Sequence, residues 1–343
     1  MSDHILESSP PGVVLVGHGP WGRNLARVLR ELGALRAVVD RRAATLRAEL
    51  PADVVVAASL TELAERPGLD LDAAVIATPA ATHAAITLEA LELGLDVLVE
   101  KPMALRLEDA RTMERRARER GRLLMVGHLP LFHPAVESLL ALVRRGELGA
   151  VRYVHSHRLN LGRVRREEDI LFSFAPHDIA LMLEIVGHDP RRVSASGGSW
   201  VAPPRADVTV THLEFPGGVQ GHVFVSWLHP SKEQRLVVVG DRGMAVFDDM
   251  APVDKLVVTE ASVALSETGE PEARSGERRA VPYDAEEPLR RECRHFLECC
   301  RTRATPRTDA AHGLRVLEVL DRARRELVSR APATPLAADP GIF

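Results

Sequence analysis

Residues Val13-Val14-Leu15-Val16-Gly17-His18-Gly19-Pro20-Trp21-Gly22 constrain the fold more than any other stretch of the chain. Four apolar residues in a row, three of them valine, read as a strand buried on both faces, as strands inside a parallel sheet are. A glycine-rich turn follows, then a helical pattern over 23–31 that ends at Gly33. Glycines 17, 19 and 22 form G-x-G-x-x-G between strand and helix, with Pro20 and Trp21 completing the turn. Gly17 permits the tight turn, Gly19 lets backbone approach a pyrophosphate, and Gly22 lets the helix pack close to the strand. The helix start then offers free N–H groups to the phosphates.

The alternation continues. Strands are predicted at 35–39, 54–56, 73–77, 97–99 and 123–126, with helices at 59–65, 81–93 and 107–120 between the later ones. Strands alternating with helices imply a parallel, doubly wound sheet of Rossmann type, with ligands at the carboxyl ends of its strands. Asp40 closes the second strand 18 positions after Gly22, near the spacing of about 20 expected of an acid that bonds the adenosine ribose. A carboxylate there repels a 2′-phosphate, so NAD is favoured. Arg41 and Arg42 stand beside it and keep NADP open, because arginine pairs with phosphate or stacks on adenine.

The chain has 343 residues, long enough for two cores, and its net charge of −4 and pI of about 6.4 argue against nucleic acid as a partner. No apolar run has membrane-spanning length and no signal peptide is recognisable, so a cytoplasmic protein is expected. Cys293, Cys299 and Cys300 fall in one predicted helix, where neighbouring positions cannot converge on a zinc ion, and no metal site is expected.

Ala77-Thr78-Pro79-Ala80-Ala81-Thr82-His83, followed by Glu100-Lys101-Pro102, resembles the Gfo/Idh/MocA family of oxidoreductases. The resemblance implies a tail at 1–12, an NAD(P)-binding Rossmann domain at 13–128, and an α+β domain with a large, mostly antiparallel sheet at 129–343. It leaves room for the C-terminal helices to pack back on the first domain. The second domain would cover the active site and supply homo-oligomer contacts, dimer or tetramer. Thr78, Pro79, His83, Glu100, Lys101 and His128 would then join Gly17, Gly19, Pro20, Trp21, Gly22, Asp40 and Arg41 around the cofactor. Pro102 biases Lys101 toward an extended backbone that can aim it into the cleft, and a lysine with little water around it can work as acid or base. Glu100 is read as its positioning neighbour.

In the second half a helix is expected at 135–145 and a strand at 151–157. Asn160 and a basic loop of Arg163, Arg165 and Arg166 come next, then Ser173-Phe174-Ala175-Pro176-His177-Asp178. Pro176 reads as a first-turn residue, placing His177 and Asp178 at a helix start, where a carboxylate favours the dipole. In many relatives an aspartate stands where Ser173 does, and a serine cannot hold a carboxylate's charge beside a histidinium. With Asn160-Leu161-Gly162 upstream, this form resembles a branch acting on sugar nucleotides. His177 is carried over as proton donor or substrate ligand, with Lys101, His128, Asn160, Arg163, Arg165, Ser173 and Asp178 around the substrate. Hairpins are read over 208–247, an exposed excursion at 266–279, helices at 286–300 and 312–329, and a proline-rich arm at the end.

The function expected is NAD(P)-dependent hydride transfer at a secondary alcohol or ketone of a sugar, foremost a nucleotide sugar in the manner of a UDP-N-acetylhexosamine 3-dehydrogenase. Lys101 and His177 are the catalytic candidates. A polyol (inositol) dehydrogenase, a deoxysugar ketoreductase and a non-catalytic dinucleotide sensor are the alternatives.

Overall fold

The computed structural model describes residues 10–330 except 67, 163 and 166. The 1–9 part of the expected tail, Arg163, Arg166 and the proline-rich arm from 331 on lie outside the described residues.

The first half runs β1 (Val13–Val16), α1 (Pro20–Glu31), β2 (Leu35–Val39), α2 (Ala43–Leu46), β3 (Val55–Ala57), α3 (Leu60–Ala64), β4 (Ala73–Ile76), α4 (His83–Glu92), β5 (Asp96–Glu100), α5 (Leu107–Glu119) and β6 (Leu124–Gly127). Its six strands are all parallel, in the order β3-β2-β1-β4-β5-β6. Every residue of β1, β4 and β6 is buried, which is why these segments carry apolar runs and not alternation. The strand order reverses beside β1, the switch point at which such sheets bind ligands.

The second half runs α6 (Pro134–Arg144), β7 (Val151–Leu161), α7 (Ile170–Val186), β8 (Arg192–Gly198), β9 (Val208–Glu214), β10 (Gln220–Ser226), β11 (Leu228–Gly240), β12 (Gly243–Asp248), β13 (Leu256–Leu265), β14 (Pro271–Ala280), α8 (Pro288–Thr302) and α9 (Ala310–Arg330). Its eight strands lie in the order β14-β13-β12-β11-β7-β10-β9-β8 and pair antiparallel except for β7 with β10. One face is covered by α7, whose apolar residues run around the helix and are buried almost throughout. The other face keeps Tyr153, His155 and His157 of β7 partly or fully exposed. The segment before α9 returns to the first sheet: the Val126 N–H donates to the Thr308 carbonyl at 2.8 Å, and the Thr308 hydroxyl donates to the Val126 carbonyl at 2.7 Å.

Several sequence expectations need correction. Residues 10–12 belong to the fold and not to a tail, since the Gly12 N–H donates to the Asp72 carboxylate at 2.7 Å and Gly12 is buried. The strand expected at 151–157 continues through Asn160 to Leu161, because β10 and β11 pair along its whole length. The helix containing His177 starts at Ile170, where the Asp169 carboxylate accepts from the Phe172 N–H at 3.0 Å, so Pro176 lies inside it. The expected excursion at 266–279 holds β14, paired with β13. All its residues are exposed, so there is no buried face to impose an apolar alternation.

Candidate active site

The carboxyl ends of β1, β2, β4, β5 and β6 converge with α7. At the end of β1, Gly17 has φ +97°, and a Cβ on it would lie 2.8 Å from the Ala77 carbonyl. A Cβ on Gly22 would lie 2.0 Å from the Gly17 carbonyl oxygen, so α1 packs on the strand only because this residue is glycine. A Cβ on Gly19 would meet nothing within 4 Å, and no side chain caps the start of α1. Backbone N–H groups facing open space at a helix start are what a pyrophosphate requires.

Asp40 follows β2 with its side chain 12% exposed. It accepts from the His18 N–H at 2.8 Å, and from the Arg42 N–H and guanidinium at 2.9 and 3.0 Å. Burial works to raise its pKa, but these hydrogen bonds prevail and hold the carboxyl well below the usual range. The arginine on Asp40 is therefore Arg42. Arg41 is simply exposed, because the chain turns away after β2. Arg42 is exposed on a flexible stem and can yield the carboxylate to ribose hydroxyls. Gly17, Gly19, the uncapped start of α1 and Asp40 together fit a dinucleotide.

Thr78 is half-buried and Pro79 exposed at the end of β4, and the Thr82 hydroxyl lies 2.8 Å from the Thr78 hydroxyl. His83 departs from its expected role. Its Nδ1 lies 2.8 Å from the Pro102 carbonyl and its Nε2 2.9 Å from the Thr78 carbonyl, so neither nitrogen is free for a cofactor. Its ring ties the loop after β4 to the loop after β5.

Glu100 accepts from the Trp21 indole N–H and, at 3.3 Å, from the Lys101 N–H. Burial raises its pKa. A Cβ on Gly127 would lie 3.1 Å from this carboxylate, so glycine there makes room for it. The Lys101 ammonium nitrogen donates to the Ser173 main-chain carbonyl at 2.8 Å. Loss of water around Lys101 pushes its pKa below 10.5; Glu100 opposes the shift and Arg158 adds to it. The Ser173 side chain is buried, so what Ser173 brings to the site is its carbonyl. Pro176 lacks the N–H that the Phe172 carbonyl would accept, which loosens the helix beside the carbonyl that Lys101 reaches.

His177 is half-buried in mid-helix, its ring centroid 6.3 Å from that of the fully buried His128. Both rings have their pKa pushed well below 6.5, first by burial and next by neighbouring basic groups, Lys101 for His177 and His312 then Lys101 for His128. Asp178 is not a helix-start carboxylate. It is 2% exposed and accepts from Arg158 on β7 at 2.7 and 3.3 Å. Asn160 stands two residues beyond Arg158, half-buried, while Arg165 is exposed, 3.9 Å from Glu168. A cavity of about 340 Å³ opens beside this pair, between the turn after β6, the large sheet and the start of α8. Arg158, Asp178, His133, Lys255 and Tyr283 are among its walls; Lys101 and His177 are not.

Sequence reasoning missed Arg42 as the partner of Asp40, the Arg158–Asp178 pair, and His312, whose ring centroid lies 5.3 Å from that of His128. A basic residue on the strand beside a conspicuous helix acid could have suggested Arg158. Nothing local points to His312. Among the described residues no cluster of His, Cys, Asp or Glu could hold a metal ion, and no helix is long and apolar enough to cross a membrane.

A Rossmann sheet with an open glycine turn, an acid after its second strand and a low-pKa lysine facing a second domain defines a nicotinamide-dependent oxidoreductase. Residues 12–128 match the NAD-binding Rossmann fold of the Gfo/Idh/MocA oxidoreductases, and residues 136–246 match that family's C-terminal domain. The chain belongs to this family. UDP-N-acetylglucosamine 3-dehydrogenase of Acidithiobacillus ferrooxidans is 31% identical over 233 residues, 66% of this chain and 70% of that protein. A solved structure of that enzyme superposes with TM-score 0.78 at 26% identity, covering 92% of this chain and 97% of the other. The NAD-dependent scyllo-inositol 2-dehydrogenase of Bacillus subtilis is 25% identical over 313 residues, 88% of this chain and 82% of its own length. The protein is thus an NAD-dependent dehydrogenase of the sugar and polyol type.

Proposed function

We propose that this dehydrogenase oxidises a secondary hydroxyl of a nucleotide-linked N-acetyl sugar, or reduces the matching ketone, with Lys101 carrying the hydroxyl proton. The observation that carries the reading is the 2.8 Å bond from Lys101 Nζ to the Ser173 carbonyl, which joins the end of the cofactor sheet to the helix bearing His177. When bound, the dinucleotide supplies the hydride acceptor. The Lys101 amine, whose pKa burial lowers from 10.5, takes the hydroxyl proton in its neutral form while the Ser173 carbonyl orients its nitrogen. His177 bonds the same oxygen, and Arg158 with Asp178 holds the wall of the adjoining cavity. The nucleotide sugar is favoured over a free polyol by the name of the 31% identical relative. Arg165, exposed on the loop before α7, is assigned to its phosphates. We also assign self-association to the open face of the large sheet.

The test is oxidation by the full chain of UDP-N-acetylglucosamine and of scyllo-inositol with NAD. Turnover of the first with a KM well below that of the second supports the reading; the reverse order replaces it with the polyol reading. Lys101→Ala is expected to lower kcat by about 10²–10⁴ while NAD still binds. Near-normal turnover of that variant would remove Lys101 from the chemistry.

A further inference from the structure

The His128 ring has the His177 ring as one neighbour and the His312 ring as another, near the candidate catalytic lysine. The centroids of His177 and His128 are 6.3 Å apart and those of His128 and His312 5.3 Å, with interplanar angles of 83° and 68°. His128 is 1% exposed and His312 7%. Both ring nitrogens of His128, both of His312 and Nδ1 of His177 are buried without any hydrogen-bond partner. Buried polar atoms are almost always paired, so five orphans on three neighbouring rings call for an explanation. The rings meet edge to face without a hydrogen bond between their nitrogens, so a path along them needs a water bonded to the nitrogens of each pair.

We propose that His128 and His312, with a water in each gap, form a proton path from Lys101 and His177 through the protein to the start of α9, on the side away from the cleft. The path rests on the reading of Lys101 as proton carrier. In the free enzyme Lys101 is partly exposed. With cofactor and sugar in place, that open side is filled, and the exit that remains is the interior one, lined by His177 and His128. Glu100 beside Lys101 is partly exposed, and its carboxylate already accepts from the Trp21 indole N–H and the Lys101 N–H.

The step balances without any redox partner. Neutral Lys101 gains the hydroxyl proton. The ammonium passes one proton over a water to a ring nitrogen of His128, breaking an N–H bond on lysine and making one on imidazole. The imidazolium releases its other N–H proton across the second gap to His312, which gives it to solvent. Each residue returns to its starting charge. Burial holds all three rings neutral at rest, so each is an empty carrier. His312 is faced by Asp309 just before its helix, by Arg315 on it, by Glu184 of α7 and by His128. Glu184 and Arg315 are partly exposed, and both are ion-paired at the surface, with Arg144 and Asp189. They mark the end of the path.

The experiment compares wild type with His312→Phe, which keeps an aromatic ring without exchangeable nitrogen, and with His312→Gln, which keeps polarity without basicity. With NAD and UDP-N-acetylglucosamine, the variants are expected to lose about tenfold in kcat, less than the ~100-fold or greater loss from removing the acid–base group itself. KM is expected to stay unchanged, the solvent deuterium isotope effect on kcat to rise, and added imidazole to restore the rate. Folded variants with wild-type kcat and isotope effect would overturn the path. A second arm needs no turnover: in ¹⁵N-histidine-labelled protein with NADH bound, the ring protons of His128 and His312 should exchange with water within milliseconds. Ring protons that persist for hours would show a dry, closed pocket and overturn the path. The two readings separate cleanly. An inactive Lys101→Ala beside a normal His312→Phe sinks the path alone, whereas an active Lys101→Ala sinks the reading of the lysine and leaves the exchange measurement to decide the path.

Discussion

Lys101 reaches across the cleft to the main-chain carbonyl of Ser173, 2.8 Å away, at a position whose side chain is a neutral hydroxyl and not a carboxylate. A carbonyl accepts a hydrogen bond from neutral amine and ammonium alike, so it orients the nitrogen without holding a proton on it. A carboxylate would stabilise the ammonium strongly. With serine at 173, no acid at that position opposes the loss of hydration that lowers the Lys101 pKa; the opposition comes from Glu100 beside it in the chain and then from Glu168.

The consequence is a signed pH dependence. The neutral amine is the base for oxidation, so the oxidation rate should rise with pH through a pKa below 10.5, and ketone reduction, which needs the ammonium, should fall over the same range. Ser173→Asp should move both profiles to higher pH by about one unit or more, as an adjacent opposite charge does. Profiles measured in both directions check this. An unmoved limb in the aspartate variant would mean that another group titrates.

Asp40 sets the cofactor preference together with Arg42. Its two oxygens already accept from Arg42 and from the His18 N–H, a set that ribose hydroxyls can share only if the guanidinium withdraws. Asp40→Asn removes a charged acceptor for which hydrogen bonds contribute about 1.5–3 kcal/mol, so the Kd for NAD should rise roughly 10- to 100-fold. With Arg42 released toward a 2′-phosphate, NADP should weaken far less, and the Kd ratio should move toward NADP. Adding Arg42→Ala should cancel that shift. Titration of both dinucleotides into the three proteins decides it.

The glycine turn separates folding from binding within four residues. Gly22→Ala puts a methyl 2.0 Å from the Gly17 carbonyl oxygen, and forced overpacking of this kind costs about 1–3 kcal/mol. Its melting temperature should fall. Gly19→Ala meets no atom within 4 Å, so its melting temperature should match wild type, while the methyl fills the approach to the pyrophosphate and NAD affinity drops. Thermal unfolding and NAD titration of the two variants should give opposite patterns.

What was legible in the sequence divides along physical lines. Strands β1, β4 and β6 could be read because burial on both faces demands apolar runs, and Asp40 and Lys101 because their positions at strand ends follow from local spacing. β14 could not be read, since exposure on all sides leaves no pattern. Arg42 and Arg41 are neighbours of the same chemistry, and only the turn of the backbone after β2 decides which one returns to Asp40. The proline rule placed Pro176 at a helix start, while the Asp169 cap and the buried Ile170-Leu171-Phe172 began the helix six residues earlier. The carbonyl of Ser173 has no side-chain signature at all. His312 and His128 lie far apart in sequence and meet only because α9 packs back on β6.

The Arg158–Asp178 pair supports the last prediction. Asp178 is 2% exposed on α7 and Arg158 15% exposed on β7, joined at 2.7 and 3.3 Å. Removing one member of a buried pair leaves the other charge uncompensated and typically costs 3–5 kcal/mol, whereas replacing both by apolar residues of similar volume is often close to neutral. Arg158→Met should therefore lose about 3 kcal/mol of stability, and Arg158→Met with Asp178→Leu should recover most of it. The pair also forms a wall of the cavity beside His177, so the stable double variant should retain NAD affinity yet show a raised KM for the sugar. Denaturant unfolding reads the first effect, and steady-state kinetics on the refolded double variant reads the second. A double variant as unstable as Arg158→Met would mean that the arginine acts through its packing on the large sheet and not through the carboxylate. A double variant with wild-type KM would place the sugar elsewhere than in this cavity.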